Sequence, residues 1–205
     1  MKIKHLLLIL FAVCIIFSFP GCNSLENSTT SSSKLIVESL TGKDLDGKDG
    51  STTIFSDVLV EGSVINDNGV AALTAVLLDP SASTATSTYY QSILVDQIDI
   101  KYSRVDGLNT PGVDVPYGFS QKTNMLVGIG ESVSLPFVLI QHNAKLESPL
   151  VELINTGQEK ILKLEAEVTF HGKDLGGQRV ESVKVYVSVW CADFGDPAPP
   201  EEEES

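Results

Sequence analysis

The chain has 205 residues, with 27 Asp and Glu against 14 Lys and Arg, for a formal net charge of −13. That balance argues against nucleic acid and anionic lipid headgroups as partners, because both demand a basic surface. Its three cysteines, Cys14, Cys22 and Cys191, are too few for a disulfide-stapled scaffold.

At the N-terminus Lys2 and Lys4 precede an unbroken apolar run from Leu6 to Phe17, and Phe19-Pro20-Gly21-Cys22 follows. The run is short for a membrane-spanning helix, which needs about 20 residues, and Pro20-Gly21 breaks it. This is the layout of a secretory signal peptide, with an uncleaved membrane helix as the alternative. The segment resembles a lipobox, with the small Gly21 just before Cys22. Phe19 and Pro20 stand where that motif usually carries Leu and a small residue. The resemblance implies a diacylglyceryl thioether on Cys22 and an acylated amino group, an anchor worth about 0.8 kcal/mol per buried methylene.

The expected organisation follows. Residues 1–21 are the lipoprotein signal peptide. Residues 22–33 are the lipidated Cys22 and a Ser/Thr-rich tether, spanning roughly 20 Å as a flexible coil. Residues 34–195 form one domain, and 196–205 are an acidic Pro/Glu tail. The chain is then exported and held by lipid on the periplasmic face or cell surface. Cys191 is the one thiol left, read either as reactive and dimer-forming or as a small apolar residue at a strand end.

The domain reads as β in chain order. Leu35 to Leu40 is a first short candidate. Asp57 to Ile65 and Val70 to Leu78 flank Asn66-Asp67-Asn68-Gly69, a hairpin signal. Ile98, Ile100 and Tyr102 alternate with Asp99, Lys101 and Ser103. Met125 to Ile129 is short. Val133, Leu135, Phe137 and Leu139 alternate with polar and apolar neighbours, and Pro136 assigns that strand to an edge or a bulge. Ser148-Pro149 signals a helix start, with Leu150, Leu153 and Ile154 on one face. From Ile161 to His171 the alternation is strict, and Val183, Val185, Val187 and Val189 form its hairpin partner across a glycine-rich turn.

These elements predict an all-β fold, an immunoglobulin-like antiparallel β-sandwich of about seven to nine strands with one short helix. A β-barrel is the alternative. The Cys–Trp–Cys core signature is absent, since Trp190 ends the last strand.

Two stretches carry a family resemblance. One runs from Tyr102-Ser103-Arg104-Val105-Asp106-Gly107 through Asn109-Thr110-Pro111-Gly112-Val113-Asp114-Val115-Pro116. The other is Val168-Thr169-Phe170-His171-Gly172-Lys173-Asp174 with the later Ala192-Asp193-Phe194-Gly195-Asp196-Pro197. The chain resembles a group of uncharacterised bacterial lipoproteins with an immunoglobulin-like β-sandwich domain. The likeness covers most of Asp57 to Pro197, and it implies fold and anchoring but no activity.

The loop Arg104 to Phe119 is the most distinctive part of the domain. Asp-Gly, Pro-Gly and two prolines hold it to one shape. It reads either as a recognition surface exposing Arg104, Asp106, Asn109, Asp114 and Tyr117, or as a structural Ω-loop whose Asp106 and Asp114 cap their own turns.

Asp44, Asp46 and Asp49 are weak calcium candidates, because hard oxygen ligands suit that ion. Lys48 occupies a ligand position, so a solvated turn is the reading adopted and no metal or cofactor is assigned. Asn66-Asp67-Asn68 is treated alike. His142 and His171 are the only histidines beyond the leader, with His171 on the solvated face of its strand. No nucleophile elbow, HExxH or phosphate loop is present, so no enzyme is expected. The functional expectation is a structural or assembly module that binds an unknown envelope protein. The alternative is a ligand-binding module for calcium or carbohydrate, with Tyr89, Tyr90, Tyr117 and Trp190 as the aromatic set.

Overall fold

The computed structural model describes residues 30–45, 47–79 and 89–195. The expected signal peptide, Cys22, most of the expected tether, Asp46 and the expected tail from 196 lie outside the described residues. Among the described residues, no helix is long and apolar enough to cross a membrane.

The described chain forms nine strands. In order they are β1 (Ser33–Lys43), β2 (Asp49–Ser51), β3 (Thr53–Asp57), β4 (Asp67–Leu77), β5 (Ile93–Ser103), β6 (Phe119–Val127), β7 (Ser132–Ile140), β8 (Leu162–Asp174) and β9 (Val183–Ala192). They build two sheets, ordered β2-β1-β4-β7 and β3-β9-β8-β5-β6. Neighbours are antiparallel except β3 and β9, which run parallel from Thr53↔Ser188 to Asp57↔Ala192. Among the described residues no strand ladder joins the two sheets, so the fold is a sandwich and not a barrel. The path is immunoglobulin-like. β8 lies between β5 and β9 as strand F lies between C and G, with β6 beside β5 and β4 between β1 and β7 in the opposite sheet.

Alternating side chains fill the space between the layers. Leu164, Ala166, Val168 and Phe170 on β8 face Leu135, Phe137 and Leu139 on β7 across a core that also takes Leu73 and Ile100. Phe137 and Phe170 meet edge-on with centroids 5.9 Å apart, the offset geometry that aromatic quadrupoles favour. Gly69 makes room for this packing, since a Cβ there would sit 2.8 Å from the Phe137 ring.

Two expectations are corrected. Asp57 to Ile65 is not a strand paired with β4. β3 ends at Asp57, and Asp67-Asn68-Gly69 opens β4 instead of turning a hairpin. The tertiary reason is a buried Lys145, which draws the Asp67 carboxylate inward. Nor does Ser148-Pro149 start an α-helix. Leu150–Leu153 is a single 3-10 turn, and the Ser148 hydroxyl donates to Glu152 Oε1 at 2.7 Å instead of to a backbone N–H. The described α-helix is one turn, α1 (His142–Lys145). Leu150 and Leu153 are buried, so the apolar spacing was informative although the element type differs.

Pro136 sits on β7, which pairs only with β4 and forms a sheet edge. Ser31 and Ser33, read from sequence as tether, are buried. Ser31 N–H donates to Arg179 O at 2.8 Å, and the Ser33 hydroxyl donates to Gln91 O at 2.8 Å.

Candidate interaction site

β5 ends at Ser103 and β6 begins at Phe119, so residues 104–118 cross one end of the second sheet. Short polar side chains hold the loop in shape. Asn109 Oδ1 accepts from Arg104 N–H at 2.6 Å. Asp106 Oδ1 accepts from Leu108 N–H at 3.2 Å and from Arg104 Nε at 3.1 Å, and Arg104 also meets its other carboxylate oxygen. Asp114 Oδ2 accepts from Thr110 N–H at 3.0 Å. Gly112 has φ +77°, and a Cβ on it would collide with the Tyr117 ring. Val115 is fully buried beneath the loop and ties it to the core.

The five sequence candidates therefore divide. Arg104, Asp106, Asn109 and Asp114 bond within the loop and set its conformation. The Arg104 guanidinium holds the Asp106 carboxyl below the usual carboxylate range. Tyr117 is exposed, and it is joined at the surface by Val105, Leu108 and Val113, which sequence reasoning passed over. Val105 is 95% exposed. An isolated apolar side chain in a turn-rich loop gives no sequence signal of whether it is exposed. The result is a braced loop with an apolar crest. A cavity of about 160 Å³ lies beside it, between Tyr117 and α1, lined also by Phe119, Gln141 and Ala144. A wider trough of about 410 Å³ follows its other flank along Lys101, Tyr102, Pro111 and Val115.

The strand register locates this loop relative to the start of the domain. Ser33 pairs with Leu77 at the end of β4 and bonds to Gln91 just before β5. β5 then runs its full length from Ile93 to Ser103 before the loop begins. Ser33 and the loop thus occupy opposite ends of the sandwich.

Two of the three calcium candidates are described. Asp44 Oδ1 accepts from Lys48 N–H at 2.8 Å, capping its own turn, while Asp49 lies on β2 and Asp46 is outside the described residues. Among the described residues no group of three or more His, Cys, Asp and Glu is arranged around a metal position. Asn66 Oδ1 is taken by His142, accepting from its backbone N–H at 2.6 Å.

The aromatic set is dispersed. Tyr89 and Tyr90 lie on a 3-10 turn before β5, not on a strand, and Tyr117 is at the opposite end. Trp190 packs against Phe55 at 5.6 Å, with Lys163 Nζ 4.1 Å from its ring centroid.

His171 is on the outer face as expected, but it is bonded. Its Nε2 is 2.8 Å from Asp99 Oδ2 and its Nδ1 is 2.7 Å from Ser182 Oγ. Burial pushes the Asp99 carboxyl up, but hydrogen bonds from Ser120, Gln97 and His171 outweigh it and hold Asp99 below its usual range. Cys191 is fully buried on β9 and carries no disulfide, and burial pushes its thiol up to about 12.

One cluster escaped sequence reasoning altogether. Lys145 on α1 is fully buried, and its Nζ donates to Asp57 O at 2.6 Å and to Asp67 Oδ1 at 2.9 Å. Asp67 Oδ2 accepts from the Ser56 hydroxyl at 2.5 Å. Lys145 stands in a polar stretch, His142-Asn143-Ala144-Lys145, and nothing local marks it as interior. Among the described residues, every buried side-chain nitrogen and oxygen has a partner.

No protein-family model matches the chain, and no curated protein matches it in sequence.

Proposed function

We propose that this chain is an exported lipoprotein, anchored through Cys22, that works as a protein-interaction or assembly module of the cell envelope. Its contact surface is the apolar crest of the 104–118 loop. It carries no catalytic step of its own, and its partner is an envelope protein. The resemblance to uncharacterised β-sandwich lipoproteins supports the anchoring half of this reading.

The observation that carries the binding half is the separation of Ser33 and the loop along the strands. β5 has 11 residues, and at about 3.3 Å per residue it spans roughly 35 Å. An anchor on the Ser33 side presents Val105, Leu108, Val113 and Tyr117 away from the bilayer. A braced loop also loses little conformational freedom on binding, which favours affinity.

The test is crosslinking in cells with the native lipidated protein, followed by mass spectrometry of the membrane fraction. The expected result is one abundant envelope partner that disappears when Val105 and Leu108 are replaced by Asp. Recovery of the uncrosslinked protein alone, in a well-sampled experiment, rejects the assembly role and directs the search to calcium and carbohydrate. A Cys22→Ser chain that still fractionates with membranes rejects the lipid anchor.

A further inference from the structure

We propose that Lys145 and Asp67 join in an intramolecular amide bond, an isopeptide cross-link between α1 and the first residue of β4. Three observations lead there. Lys145 is fully buried and the Asp67 side chain is only 14% exposed. Lys145 Nζ lies 2.9 Å from both carboxylate oxygens of Asp67, so it stands opposite Cγ. That position is within about 3.5 Å of Cγ, the separation of a near-attack pair.

An ion pair in such a site carries the desolvation cost of two charges. Transfer of one proton from the ammonium to the carboxylate removes both charges and leaves an amine against a carboxylic acid. Burial pushes the Asp67 carboxyl up, against the opposing pull of Lys145 and Ser56, and so favours the acid form. Held groups of this kind react at effective concentrations far above any reached in solution.

The step balances without any co-reactant. The Nζ lone pair attacks Cγ, a Cγ–Nζ bond forms, and the Cγ–Oδ1 bond breaks. Oδ1 leaves as water, carrying the acid proton and one proton from Nζ. The product is already accommodated. Its amide N–H keeps the acceptor Asp57 O, and its carbonyl Oδ2 keeps the Ser56 hydroxyl as donor. The bond would close a loop between residues 78 apart in sequence. It would do so in a chain whose described cysteine is unpaired.

The test is peptide mapping of the purified full chain after denaturation. Trypsin places Asp67 in peptide 49–101 and Lys145 at the end of peptide 123–145. The expected result is peptide 49–101 covalently joined to an uncut 123–160, lighter by one water than the sum of the two. Lys145→Arg keeps a cation but abolishes the joined species. Asp67→Asn restores the same bond with loss of ammonia instead of water. Separate peptides of full mass, with cleavage after Lys145 in the wild type, overturn the proposal. So does a joined species whose tandem spectra place the bond at residues other than Asp67 and Lys145. The wild-type digest decides the matter even if either variant fails to fold.

Discussion

His171 Nε2 and Asp99 Oδ2 meet 2.8 Å apart on the outer face of the second sheet and tie β8 to β5. The Asp99 carboxyl titrates below its ordinary value when folded. Its contribution to stability is therefore complete above that ordinary value and is lost as pH falls through the depressed one. Urea unfolding of wild type and Asp99→Asn at neutral pH and at about pH 3 checks this. The wild type is expected to be the more stable at neutral pH, and the gap should narrow in acid. A gap that widens in acid contradicts the assignment.

The loop brace and the loop crest are separable. Asn109→Ala removes the acceptor of Arg104 N–H and is expected to cost about 1 kcal/mol. Val105→Asp touches nothing in the fold, so its stability should stay within about 0.5 kcal/mol of wild type. Partner crosslinking should fall with Val105→Asp and survive Asn109→Ala wherever the loop stays closed. Thermal melts run beside the crosslinking give both readouts.

Phe170→Ala deletes one half of the aromatic contact that spans the two layers. Phe170 is fully buried, so the loss should be about 3–5 kcal/mol. Chemical denaturation measures it. Tyr186→Ala on the exposed face of β9 is the control, and a comparable loss there would mean that the core is misassigned.

Cys191 is expected to be inert while the chain is folded. Its thiol is buried and pushed up to about 12, which leaves almost no thiolate at neutral pH. A chromogenic thiol reagent should react only after denaturant is added. Rapid labelling of the native chain, or a disulfide-linked dimer in non-reducing gels, would count against this placement.

Much of the fold was legible because β8 and β9 alternate without interruption, and a period of two admits only one face inward. β5 was legible only from Ile98 onward. Its register slips between Val95 and Gln97, so Val95 and Ile98 both point into the core and a strict alternation breaks at Asp96. A bulge of this kind is fixed by pairing with β6 and β8, not by local composition. Asn66-Asp67-Asn68-Gly69 misled for a related reason. Its turn propensity was overridden by Lys145, which is distant in sequence. At the candidate site the brace was readable from Asp106, Asn109 and Asp114, since such residues hydrogen-bond locally. The crest of Val105, Leu108 and Val113 was not, because exposure depends on where the loop sits in the fold.

The parallel pairing of β3 with β9 has a mechanical consequence. The described chain enters through Ser33 at one end of the sandwich and leaves past Ala192 at the other. Tension applied between these two ends acts along the strands. At the entry the load falls on the ladder from Ser33↔Leu77 to Gly42↔Gly69, and at the exit on the pairs of β9, including the five from Thr53↔Ser188 to Asp57↔Ala192, each pulled lengthwise so that neighbouring backbone bonds share it.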